Sequence, residues 1–184
     1  MLYIMRHGKT DWNKEYRLQG LTDIPLNEEG REMARKAAAE YKDVHFDICF
    51  CSPLVRAKET AEILLEGRNV PIVVDDRLHE MSFGVYEGKK DVFHLPDEEP
   101  IKNFFFHPEK YTEPVEGGES FDELFKRISE FLKEKVDPLL AEGKDVLIVG
   151  HGALNSGIIS LVRNLPIEKF WSEGIENCKL KRLI

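Results

Sequence analysis

Residues 145–153 read DVLIVGHGA. The run Val146-Leu147-Ile148-Val149 has no polar member, so it has no face suited to water. Such a run reads as a strand buried on both sides, the pattern of a parallel sheet covered by helices. It stops at Gly150-His151-Gly152, and residues 152–163 then carry helical spacing. A buried strand that passes through a glycine-flanked histidine into a helix is half of a βα unit. It also leaves that histidine at the strand's carboxyl end.

Three further β-type runs precede it: Leu2–Met5, Phe46–Cys51 and Pro71–Val74. Helical patterns separate them. Asn27 is expected to cap a segment in which Met33, Ala34, Ala37, Ala38 and Tyr41 share a face. Ser52-Pro53 reads as a capping hydroxyl before a first-turn proline. Ala57, Thr60, Ala61 and Leu64 then form the next face. Ser120 and Glu123 have capping-box spacing, and an apolar stripe continues from Phe121 to Leu139. Strands alternating with helices predict an α/β sandwich with a mostly parallel sheet. The last run, Cys178–Ile184, is expected as an antiparallel edge strand. One domain is expected over 1–184, with a lid-like excursion at about 89–118 that is rich in proline and fits no clean period.

Composition narrows the function. A formal net charge of −8 disfavours a nucleic-acid binder, which needs a basic face, but permits a local basic pocket for a small anion. No apolar run is long enough to span a membrane, and Arg6 and His7 interrupt the only signal-like start. The three cysteines, Cys49, Cys51 and Cys178, make no disulfide framework and suit a reducing cytoplasm. Cys49 and Cys51 are expected as small core residues.

The strand ends carry the chemistry. Arg6 and His7 follow the first run, Ser52 to Arg56 the second, Asp75 to Glu80 the third, and His151 the fourth. Parallel strands place all four ends on one edge, where open α/β sheets bind ligands. Arginine forks match phosphate oxygens in pairs, so Arg6 and Arg56 with His151 form a candidate cradle for a phosphoryl group. His7 is the candidate nucleophile, since imidazole nitrogen forms covalent intermediates and neighbouring arginines favour its neutral form. Gly8 lets the backbone come close. Glu80 is the candidate general acid and base.

At these residues the chain resembles the histidine phosphatase superfamily, the phosphoglycerate-mutase-like enzymes. MRHGKTDWN (residues 5–13) is similar to the family's opening block, with His7 at the position of the phosphorylated histidine. Asn13 matches an asparagine used on the phosphoryl group. LQGLTDIPLNEEG (18–30) resembles the next block and places Gln19 and Gly20 near substrate. CSPLVRAKETAE supplies Arg56, LHEMSFGVYEG supplies Glu80, and EGGES and VGHGA complete the set, with His151 and Gly152 in the pocket. Lys9 stands where the family usually has glutamate or glutamine, and Cys51 where serine is common. The resemblance implies a three-layer α/β/α fold, no metal or other cofactor, and a phosphohistidine intermediate on a small-molecule phosphate ester.

Members of the family are hydrolases or mutases. A mutase needs extra cations for a second anion, and family mutases carry an arginine pair in the excursion and a tyrosine before the glycine of the glutamate block. Here Phe83 precedes Gly84, and residues 94–116 hold six acids, two lysines and no arginine. Hydrolysis is therefore expected, with Lys89 and Lys90 keeping the mutase alternative open. Phe104, Phe105, Phe106 and Tyr111 are expected to anchor the excursion. If some instead line a leaving-group pocket, that pocket suits a substrate with an apolar or nucleoside-like body, such as an α-ribazole-phosphate-type ester. A metallohydrolase using His7, His151 and Glu80 is opposed by Arg6 and Arg56, which would repel a dication. A non-catalytic phosphate-binding module is the other alternative.

Overall fold

A computed structural model describes residues 1–184. Along the chain run β1 (Leu2–Arg6), α1 (Asp11–Lys14), α2 (Glu28–Glu40), β2 (Ile48–Cys51), α3 (Val55–Leu64) and β3 (Ile72–Val74). Then come α4 (Pro100–Phe106), α5 (Phe121–Phe131), α6 (Asp137–Ala141), β4 (Val146–Gly150), α7 (Gly152–Val162) and β5 (Leu180–Arg182). The sheet has the order β3-β2-β4-β1-β5. Four strands run parallel, and β5 pairs antiparallel with β1 at the edge. No helix is long and apolar enough to cross a membrane.

All of Val146–Gly150 is buried, as its sequence requires. Strand alternation sends side chains to two separate cores. Leu2, Ile4, Val146 and Ile148 pack with Leu124, Ile128 and Phe131 of α5 and Leu154 and Ile158 of α7. Met5, Cys49, Leu147 and Val149 pack with Ala34 and Ala37 of α2 and Ala57, Ala61 and Leu64 of α3. Each fully buried Val, Leu or Ile contributes about 1.5–3 kcal/mol. The three-layer α/β/α architecture follows from these two cores. The connection from β1 crosses one face through α2, and the connection from β4 crosses the other through α7. Neighbouring strands whose connections leave in opposite directions open a crevice at their carboxyl ends.

Local details depart from the sequence reading. The helix expected to start at Ser52-Pro53 begins at Val55, and its side-chain cap is remote: Asp23 Oδ1 accepts from the Val55 amide at 2.8 Å. The apolar stripe after Ser120 is not one helix. A π turn at Leu132–Val136 separates α5 from α6, and the Asp137 amide bonds back to Leu132. Pro138 has no amide to offer Glu134, and its ring crowds that carbonyl, so the ladder widens there. The cap at Asn27 and the capping box at Ser120 form as read.

Within 89–118, Ile101, Phe104, Tyr111 and Val115 join the same core as Leu2 and Val146. Phe104 is fully buried and touches Phe83, Phe121 and Trp171, whereas Phe106 is half exposed. All three cysteines are buried thiols. Burial pushes Cys51 up to about 11 and Cys178 up to about 12.

Candidate active site

Arg6 and Gly150 face each other as the last pair of the β1–β4 ladder. The ladder runs one residue further, because the His7 amide donates to Gly150 O at 3.0 Å. Beside it, the Ser52 amide donates to Val149 O at 3.2 Å. Backbone register alone thus puts His7, His151 and Ser52 at one point of the sheet edge. The imidazoles of His7 and His151 lie 5.2 Å apart, centre to centre. Both residues are buried.

His7 is held from several sides. Its Nδ1 lies 2.6 Å from Gly8 O. A carbonyl oxygen only accepts, so Nδ1 carries the proton and Nε2 keeps its lone pair. Asn177 donates to His7 O at 2.7 Å, and the Gly8 amide donates to Thr60 Oγ1 at 3.0 Å. Burial first, then the charges of Arg56 and Arg6, hold His7 well below the ordinary histidine range, against the opposing pull of the Gly8 bond. His151 is lowered in the same direction by burial, then by Arg56. Both rings are neutral near pH 7 for that reason.

Arg56 comes from the first turn of α3 and is fully buried. Its two terminal nitrogens donate to Gly20 O at 2.7 Å and Thr22 O at 2.8 Å. Burial lowers Arg56 to about 10, with Glu80 opposing. Arg6 is lowered too, by burial, and again Glu80 opposes. Arg6 Nη1 donates to Ile175 O at 3.2 Å. The buried Nε atoms of both arginines and Nδ1 of His151 have no protein partner.

Glu80 faces this group from the loop after β3. Its Oε1 accepts from the Met81 and Leu154 amides, each at 2.9 Å, and its Oε2 from the Ala153 amide at 3.0 Å. The open side of Gly152 looks onto both neighbours: a Cβ there would stand 3.7 Å from the Arg6 guanidinium carbon and 3.8 Å from Glu80 Oε2. Arg6, His7, Arg56, Glu80, His151 and Gly152 therefore meet. Gly20 joins them through Arg56. Asn13 and Gln19 are tethered to Thr10, which donates from its backbone to Asn13 Oδ1 at 3.1 Å and from its hydroxyl to Gln19 Oε1 at 2.7 Å. Neither makes a hydrogen bond to Arg6, His7 or Arg56.

Three supporting residues escaped the sequence reading. Ser52 lies 2.7 Å from His151 Nε2 through its hydroxyl, the very atom that local capping rules assign to a helix start. Asn177 belongs to the last loop, which has no local signal. Glu87 accepts from the Thr22 amide at 2.8 Å and the Thr22 hydroxyl at 2.7 Å, and so steadies the loop that holds Arg56. A signal for Glu87 existed only as its place in the glutamate block. Next to the site is a cleft of about 440 Å³. Its walls include Leu21, His79, Ser82, Glu119, Lys126 and Arg127, and only Leu21 is hydrophobic. Arg127 is fixed there by a two-pronged pair with Glu119, at 2.6 and 2.9 Å.

Residues 2–184 match the family model described as histidine phosphatase superfamily (branch 1). The chain belongs to that superfamily. A 2,3-bisphosphoglycerate-dependent phosphoglycerate mutase of Cytophaga hutchinsonii is 33% identical over 154 residues, 83% of this chain and 72% of that protein. The solved structure of Bacillus stearothermophilus YhfR is 35% identical with a TM-score of 0.86, covering 97% of this chain and 88% of that one. An Entamoeba histolytica phosphoserine phosphatase solved with 3-phosphoglyceric acid is 27% identical with a TM-score of 0.82, covering 97% and 87%. The superfamily thus brings both phosphatases and mutases to this fold, and phosphoryl transfer is common to them.

Proposed function

We propose that this chain is a metal-independent phosphomonoester hydrolase that works through a phosphohistidine on His7. The observation that carries the reading is the His7–Gly8 hydrogen bond, which leaves Nε2 with a free lone pair in a site that also holds the unpartnered buried nitrogens of Arg6, Arg56 and His151. In the first step Nε2 forms a bond to phosphorus as the bond to the ester oxygen breaks, and Glu80 gives its proton to the departing oxygen. In the second step Glu80 takes a proton from water, the water oxygen bonds phosphorus, and the P–N bond breaks. Arg6, Arg56 and His151 face the equatorial oxygens, where charge builds up in the transition state. Asn13, Gln19, Gly20, Gly8 and Gly152 complete the substrate-binding set.

Hydrolysis is favoured over mutase action by the acidic excursion and by Phe83, which is buried against Phe104 rather than offering a hydroxyl to substrate. The charged walls of the neighbouring cleft support a small polar leaving group. The aromatic residues are committed elsewhere, with Phe104 and Tyr111 in the core. The three free thiols support a reducing compartment, the cytoplasm. The test is turnover on a panel of small phosphate esters, an α-ribazole-phosphate-type ester included. It is run with and without chelator, with assay for acid-labile phosphoenzyme. Phosphate release with a phosphohistidine, undiminished by chelation, is expected. Isomerisation of phosphoglycerates with no release of phosphate would overturn the hydrolase reading in favour of the mutase.

A further inference from the structure

The His151 ring has two nitrogens in unlike settings. Nε2 is 2.7 Å from Ser52 Oγ, and Nδ1 is buried with no protein partner. Ser52 Oγ has a second neighbour, the Leu54 amide, at 3.2 Å. An amide can only donate, so one lone pair of the hydroxyl is taken. Two arrangements then remain. If His151 Nε2 carried the proton, the serine oxygen would accept twice, and its own proton, in a fully buried residue, would face no acceptor that the structure supplies. If Ser52 donates to Nε2, the hydroxyl is fully used, amide to hydroxyl and hydroxyl to imidazole, and only Nδ1 stays open, as it does in either arrangement. Buried hydroxyls that leave a proton unmatched are costly, so the second arrangement prevails. The neutral ring must then hold its single proton on Nδ1.

We propose that Ser52 is a positioning residue that sets the proton of His151: the chain Leu54 N–H to Ser52 Oγ, Ser52 O–H to His151 Nε2, makes Nδ1 an N–H donor toward the phosphoryl group. The two site histidines thereby carry fixed and complementary jobs. His7 has its Nδ1 proton tied to Gly8 O and presents a lone pair. His151 has its lone pair tied to Ser52 and presents a proton. A proton on Nε2 of His151 instead would turn a lone pair toward the phosphoryl oxygens and repel them. The inference rests on the phosphoryl-transfer reading for the place of the ligand, but the assignment of the proton does not.

The experiment is ring-nitrogen NMR of the full chain labelled with ¹⁵N-histidine, assigned with His151→Gln, near pH 7. The expected wild-type pattern for His151 is a protonated Nδ1 and a bare Nε2. In Ser52→Ala the proton should move wholly or partly to Nε2, and affinity for inorganic phosphate should fall by about 10-fold, the scale of one hydrogen bond to a charged group. Ser52→Thr, which keeps the hydroxyl, should restore the Nδ1 proton. A wild-type His151 protonated on Nε2 overturns the proposal even if no variant folds. A Ser52→Ala protein that keeps the proton on Nδ1 overturns it as well. Phosphoenzyme trapping in the same wild-type sample reports separately on the hydrolase reading, because either result can hold while the other fails.

Discussion

Glu80 Oε2 accepts a hydrogen bond from the Ala153 amide at 3.0 Å, across 73 residues of chain. With the Leu154 bond to Oε1, this fixes the Glu80 carboxyl group at the first turn of α7. The proposed acid–base group is thus positioned by the same helix that follows His151. Glu80→Gln keeps the shape and one acceptor but cannot cycle a proton. Turnover of alkyl phosphates should fall by about 10²–10³-fold, and turnover of nitrophenyl phosphate by much less, because its leaving oxygen needs little protonation. Equal losses on both substrates would count against the acid role. Loss of one amide partner should also lower stability by about 1 kcal/mol.

His7→Ala should remove turnover and leave no acid-labile phosphate on the protein after mixing with substrate. The Arg6 and Arg56 donors remain, so inorganic phosphate should still bind. Binding that survives while labelling disappears separates a nucleophile from a mere ligand. A labelled alanine variant would place the covalent bond on another residue.

Stability should fall as the solution is acidified, for a reason located at His7 and His151. Both are held well below the ordinary value of 6.5, chiefly by burial and then by Arg56. Below that value the unfolded chain takes up protons that the folded chain refuses. The unfolded state then binds more protons, so unfolding is promoted as pH drops toward the folded-state values. The slope is about 1.4 kcal/mol per pH unit for each histidine once it titrates fully. Urea unfolding between about pH 7 and pH 5 measures it. The His7→Ala protein should show a shallower dependence than the wild type; matching slopes would mean His7 is not buried neutral.

Gly30 sits in the first turn of α2, where alanine ordinarily helps a helix. Here a Cβ would stand 2.0 Å from Lys9 O, inside the loop that leaves His7. Gly30→Ala should therefore destabilise, by about 1–3 kcal/mol as an overpacked contact, and should depress turnover by shifting the loop. Alanine at Gly67, which has nothing within 4 Å, is the control for strain alone, since its φ is +73°. Turnover unchanged in both variants would show that the loop yields without moving the site.

Legibility differed by kind of interaction. The α/β alternation and the buried β4 were readable because strand and helix periods are local properties of Val146–Val149, of Ala34 and Ala37 on α2, and of Ala57 and Ala61 on α3. The clustering of His7, His151, Arg6 and Arg56 was readable because they sit at strand ends and in ordered blocks. Ser52 has a second partner that local rules do not show: its hydroxyl accepts from the Leu54 amide close by, but it also meets His151, which approaches from another strand 99 positions away. The start of α3 was misplaced for the same reason, since its cap, Asp23, lies 32 positions upstream. The π turn at Leu132–Val136 is a case where a uniform apolar stripe concealed the effect of Pro138 on the ladder.

By itself the order of residues determined the layers, the strand ends and which groups are candidates for the chemistry, since burial patterns and chemical type are carried by single side chains and their near neighbours. Only the folded chain decided which nitrogen of His7 keeps its lone pair, which donors around it stay unpaired, and which hydroxyl meets His151. Those depend on hydrogen bonds between segments far apart in sequence, and such bonds exist only once the parallel strands have aligned their ends.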